Sequence, residues 1–143
     1  MSDLYDTDIL LWSEQQAGLL RRRALGMLTN DTELDWTNIA EEIESVGSEQ
    51  RHAVESLLIQ ALRHWLKTLA WPHSGEVPHW QAEERLFRSL ARRRFVPSMR
   101  QRIDFDRLYR DALRSLPDTI DGQPPLPVPV DCPVTLDGLL ADD

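Results

Sequence analysis

From Trp36 to Leu69 the apolar positions hold a single helical phase. Trp36, Ile39, Ala40, Ile43 and Val46 fall on one stripe. At about 100° per residue, Gly47, Val54, Leu57, Leu58, Ala61, Trp65 and Leu69 continue it. This pattern predicts one helix of about 34 residues, with Gly47 inside it where a neighbour approaches closely. The alternative is two helices, with Gly47 closing the first and Ser48 opening the second.

Upstream, Asp6, Thr7 and Asp8 offer N-cap oxygens to a first helix. Its apolar positions are Ile9, Trp12, Leu19, Leu20, Ala24, Met27 and Leu28, with Gln16 interrupting the series. "TNDTELD" (29–35) is turn chemistry, and Asp35 caps the helix that follows. "WPHSGEVPHW" (71–80) reads as a loop, because Pro72, Gly75 and Pro78 break helices. Trp80, Glu84, Phe87, Leu90 and Ala91 predict a third helix ending near "RRRFVPS", after which Ser98 caps a fourth carrying Phe105, Leu108, Tyr109, Ala112, Leu113 and Leu116. Six of the nine prolines lie in 117–133, so that stretch should run extended. "CPVTLDGLL" closes with a short helix. No stretch alternates like a strand. The expectation is an all-α fold, a helical bundle of four to five helices over 1–116 with a proline-rich strap and terminal helix over 117–143, one domain overall.

Charge divides this chain more sharply than its net value of −8 suggests. Residues 85–114 hold ten arginines against three aspartates, while residues 1–84 hold fifteen carboxylates against six bases. Residues 115–143 hold six aspartates and no base. Such parts can neutralise one another within a fold or across a dimer. No apolar run reaches the ~20 residues of a membrane span, and the start of the chain is acidic where a signal peptide is basic. Cys132 is the only cysteine, so no internal disulfide forms; these features together predict a cytoplasmic protein.

The carboxylate cluster "EEIE" raises the question of a metal site. On the helical wheel Glu42, Glu44 and Glu41 fall at about 240°, 80° and 140° when Trp36 is at 0°. They point to three sides and cannot gather one ion; Glu42 and Glu44 flank the apolar stripe, where an arginine can meet them. Glu49 and His52 form one E-x-x-H motif, whereas carboxylate-bridged di-metal bundles need two. His73, Glu76 and His79 have ligand-like spacing but sit in the proline-kinked stretch with no fourth ligand nearby. No cofactor is expected. Cys132 precedes Pro133 at a helix start, which can lower a thiol pKa, although an apolar contact fits the position better.

The segments "LYDTDILLWSEQQAGLL", "LDWTNIAEEIESVG" and "CPVTLDGLL", with Trp80, resemble a bacterial family catalogued as domain of unknown function 29. The likeness spans nearly the whole chain, and "AEEIES-x-G" is its most specific block. It implies a helical bundle of this length and brings no established activity. The connection "RRALGMLTNDTE" is longer than the family pattern, and His73 and His79 fall outside it.

The leading expectation is a non-catalytic helical interaction protein that forms a homodimer. Its candidate interaction residues are Trp12, Trp36, Glu42, Glu44, Arg88, Arg92, Arg93 and Arg107, since tryptophan and arginine dominate interfaces. A regulator that binds nucleic acid or a toxin-like protein through the arginine face ranks second. A metal-dependent enzyme using the Glu and His residues ranks third.

Overall fold

In the computed structural model, which describes residues 3–141, every regular element is helical and no strand occurs among the described residues. Met1 and Ser2 of the acidic start and Asp142 and Asp143 of the acidic tail lie outside the described residues. The helices are α1 (Asp3–Thr7), α2 (Ile9–Ala24), α3 (Trp36–Ala70), α4 (Val77–Arg94), α5 (Phe105–Arg114) and α6 (Leu136–Leu140). Five lie within residues 1–116, the upper end of the expected four to five, and α6 is the expected terminal helix; α1 is the one that the apolar spacing does not announce. It is set apart from α2 at Asp8, where the backbone leaves the helical region and the carboxylate caps α2 by accepting from Leu11 N at 3.1 Å. α3 is the single long helix that the apolar phase predicts, and Gly47 lies inside it.

The chain divides into two compact units, Met1–Ser48 and Glu49–Asp143. In the first, α2 ends on Gly26, whose φ of 77° only glycine adopts without strain. Gly26 N donates to Arg23 O and Met27 N to Arg22 O, both at 3.0 Å, the paired bonds of a Schellman cap. Met27 and Leu28, expected within the helix, therefore lie beyond it and are exposed. Trp12, Leu34 and Ile39 form a small core with Leu4, Tyr5, Leu19 and Leu20 against it. Gln16 is no interruption. It is buried, donates to Glu33 O at 3.1 Å and accepts from Asp35 N at 2.8 Å, fixing the turn that feeds α3.

The second unit has the larger core. Val54, Leu58, Ala61, Leu62 and Leu66 of α3 meet Ala91, Met99, Ile103, Leu108, Tyr109, Ala112 and Leu139. Two boundaries differ from the sequence reading. α4 begins at Val77 with Pro78 in its first turn, where a helix has no N–H partner to lose. Ser98, the expected cap, lies inside a 3-10 turn over Pro97–Gln101, and Asp104 caps α5 instead, accepting from Arg107 N at 3.2 Å. Residues from 117 onward belong to this unit and run without helix as far as Thr135. Asp121 and Gly122 both take positive φ (54° and 73°) while Ile120 and Gln123 exchange two backbone bonds, a tight reversal of type I′ character. Leu126 N donates to Ala70 O at 2.9 Å, Trp71 Nε1 to Gln123 O at 2.9 Å, and Tyr109 Oη to Pro129 O.

Candidate functional site

In the first unit the side of α3 that meets α1 and α2 is mixed, with the buried Ile39 flanked by Asp35 just before the helix and by Glu42. Asp35, Ile39 and Glu42 recur at i, i+4 and i+7 and so share a face. Asp35 accepts from Asn38 Nδ2 at 2.8 Å and from Trp12 Nε1 at 3.2 Å. The bond from Asn38 comes first among the causes that hold the Asp35 carboxyl below its usual range, with the indole bond adding to it. Glu42 accepts from Tyr5 Oη at 2.6 Å, and that bond pushes the phenol pKa up to about 12. Tyr5 in turn packs edge-on to Trp12, ring centres 4.8 Å apart. An arginine was expected opposite Glu42. A tyrosine stands there instead, because α1 folds back onto this side of α3.

The apolar stripe is consequently left on the outside over the first turns of α3. Trp36 is 50% exposed, Ile43 69% and Val46 63%, with Ala40 and Gly47 exposed between them. Ile39 alone of the stripe's first five members is buried by the unit. Arg23 sits over the Trp36 ring at 5.9 Å. Glu44 is exposed beside the stripe, and Glu41 is exposed farther round the helix. Trp12, expected on an association surface, is instead core at 4% exposure. Gly47 has no reason within the fold: a Cβ added there meets nothing within 4 Å. Gly47→Ala is therefore expected to raise monomer stability by about 0.5–1 kcal/mol, through helix propensity alone, when checked by urea denaturation. A loss of stability would show that the glycine answers an internal packing need.

Of the arginines, only part follows the expected pairing with the acidic helix. Arg107 Nη2 lies 3.3 Å from Oε2 of the buried Glu55, whose other oxygen is 3.6 Å from Arg51 Nε. Arg88 and Arg92 grip the end of α6. Arg88 Nε donates to Leu139 O at 2.9 Å, Arg92 Nε to Leu140 O at 2.8 Å and Arg92 Nη2 to Ala141 O at 3.0 Å. Arg100 holds Asp137 at 2.9 Å. The last carbonyls of a helix have no partner inside it and carry its negative dipole end, which makes them an anionic target without a carboxylate. Arg85, Arg93 and Arg94 are exposed and make no hydrogen bond or ion pair with any described residue.

The chemistry candidates stay apart. Glu49 and His52 are exposed on α3, and the His52 ring lies 3.3 Å from Arg51 Nη2. His73, Glu76 and His79 are all exposed where the chain enters α4. Among the described residues no three His, Cys, Asp or Glu side chains are placed to hold one metal ion. The Cys132 thiol is pushed up by burial, opposite to the lowering that its position suggests, while its Sγ contacts Val134 O at 3.2 Å. His64 stacks on Phe87, ring centres 5.7 Å apart, and burial lowers its pKa. Gln16 and Tyr5 are the functional-site supports that sequence reading misses. The only signal for Gln16 is its place one helical turn after Trp12.

Comparison with known proteins agrees with this architecture. The sequence model of the family described as Domain of unknown function DUF29 matches residues 4–143. A crystal structure of an alpha-helical protein of unknown function from Rhodospirillum rubrum superposes with a TM-score of 0.70 at 26% identity, covering 97% of this chain and 90% of that one. No curated protein matches the chain.

Proposed function

The chain belongs to the DUF29 family, and on that footing we propose that it is a non-catalytic interaction protein that works by self-association. The uncovered apolar face of α3 carries this reading. Three large side chains, Trp36, Ile43 and Val46, stand half or more exposed over the first three turns of α3, beside a glycine that its own fold does not need. Scattered exposed apolar residues are ordinary, whereas an ordered row on one helix face marks a contact surface. In this proposal Trp36, Glu44 and Arg93 lie at the association surface. Glu42 supports it from beneath through Tyr5, and Arg88, Arg92 and Arg107 hold the second unit in shape.

The same proposal takes residues 117–135 as a strap that closes the second unit, which the bonds to Ala70, Trp71 and Tyr109 support. It also places the protein in a bacterial cytoplasm, which the lone cysteine suits. No helix among the described residues is long and apolar enough to cross a membrane.

Sedimentation velocity tests the central claim. The wild-type chain is expected to dimerise at micromolar concentration, and Ile43→Glu to shift it to monomer with its helix content unchanged. A wild type that stays monomeric at the highest attainable concentration overturns the reading.

A further inference from the structure

Resting on the self-association reading, we propose that the acidic face of α3 in one copy takes the basic outer face of α4 from a second copy. Ala82, Arg85, Leu86, Ser89 and Arg93 recur at i, i+3, i+4, i+7 and i+11, so they form one side of α4. Leu86 is 49% exposed there, and Arg85 and Arg93 are exposed without a described partner. On α3, Trp36, Ala40, Ile43 and Gly47 recur at i, i+4, i+7 and i+11, with Glu44 alongside and Glu41 farther round the same helix. Both rows thus run along the i, i+4 ridges by which helices interdigitate. Gly47 leaves a bare notch beside Ile43, into which a leucine of the facing ridge fits.

Charge decides which helix occupies the face. Residues 1–48 carry ten carboxylates against three arginines, a net of −7. A second α3 laid on this face would bring another such unit against it, and like charges at contact oppose association. α4 carries five arginines against two glutamates, and its second half opens the 85–114 stretch of net +7. It supplies an apolar ridge and the complementary sign together. Every part of the contact is present on this one chain, so a second copy suffices as partner.

The test uses the full-length chain in sedimentation at about 50 mM and 500 mM salt, where screening lengths differ severalfold. Dimerisation is expected to weaken about tenfold or more at the higher salt. The double variants E41R/E44R and R85E/R93E are each expected to be monomeric, with wild-type circular dichroism. Mixed in equal amounts they should associate again, because each basic α3 then meets an acidic α4 and each acidic α3 a basic α4. Gly47→Leu, which fills the notch without touching a charge, should also abolish the dimer and serves if a charge variant fails to fold. A wild-type dimer that tightens with salt, or a mixture that stays monomeric while the wild type dimerises, overturns this arrangement but leaves self-association standing. A wild type monomeric in both salts overturns both. Labelled DNA retained by the monomeric wild type and lost in R85E/R93E would assign the α4 face to nucleic acid and overturn the arrangement equally.

Discussion

Trp12→Ala is expected to cost the first unit about 3–5 kcal/mol, the range for emptying a buried aromatic site. Such a loss is most of what a small unit has to spare. Among the described residues of this unit the buried apolar side chains are Trp12, Leu34 and Ile39, with only Gln16 buried beside them, so no other large apolar side chain is placed to close over the gap. The substitution also removes the indole N–H from Asp35 and the ring on which Tyr5 packs. Chemical denaturation followed by far-ultraviolet circular dichroism, with hydrogen exchange reporting on α1 and α2, measures the effect. Trp12→Phe separates the contributions: it keeps most of the packing and forfeits one hydrogen bond to a carboxylate, worth about 1–3 kcal/mol. A Trp12→Ala variant with unchanged exchange in α2 would mean that the unit is not held by this core.

Asp35 adds a pH dependence with a definite sign. Its folded pKa lies below the unbound value of 3.8, so its contribution to stability is complete above that value and is lost as pH falls through the lowered one. Acid should therefore loosen the start of α3, and Asp35→Asn should flatten that part of the profile.

Leu62→Ala should have the other large effect, about 2–5 kcal/mol, because this side chain is fully buried where α3 meets the second unit's helices. The leucine makes its contacts on all sides, so the cavity left behind adds to the lost transfer energy. Leu69, on the same helix but exposed, is the control; Leu69→Ala should change stability by no more than about 0.5 kcal/mol. Urea midpoints at constant slope decide the comparison. Equal effects at the two positions would contradict the burial pattern of α3.

These two leucines also show how far sequence carries. The length of α3 was legible because helical phase is a property of spacing alone, and the spacing persists from Trp36 to Leu69. Which side becomes covered is a property of the neighbours. In the second unit the stripe residues Val54, Leu58 and Ala61 are buried as the pattern implies, yet Ile43 and Val46 on the same stripe face solvent. The glutamates were correctly read as pointing to different sides. Their partners were not, since a tyrosine hydroxyl far along the chain leaves no periodic trace. The arginines illustrate the same limit: their natural sequence-level partners are carboxylates, and backbone carbonyls at a helix end are invisible until the helix is placed. Local caps fared in between, with Asp8 and Asp35 found and Asp104 missed in favour of Ser98.

The grip of Arg88 and Arg92 on α6 bears on when that helix exists at all. A five-residue helix lies far below the length at which an isolated helix holds together in water, since nucleation fixes several residues before any bond repays it. α6 therefore has no life of its own. Thr135 Oγ1 starts it, Leu139 anchors it in the core, and guanidinium groups some fifty residues earlier satisfy its last carbonyls. Its amides should then exchange with deuterium only when α4 lets go, in step with the slow protons of the core and unlike an ordinary chain end.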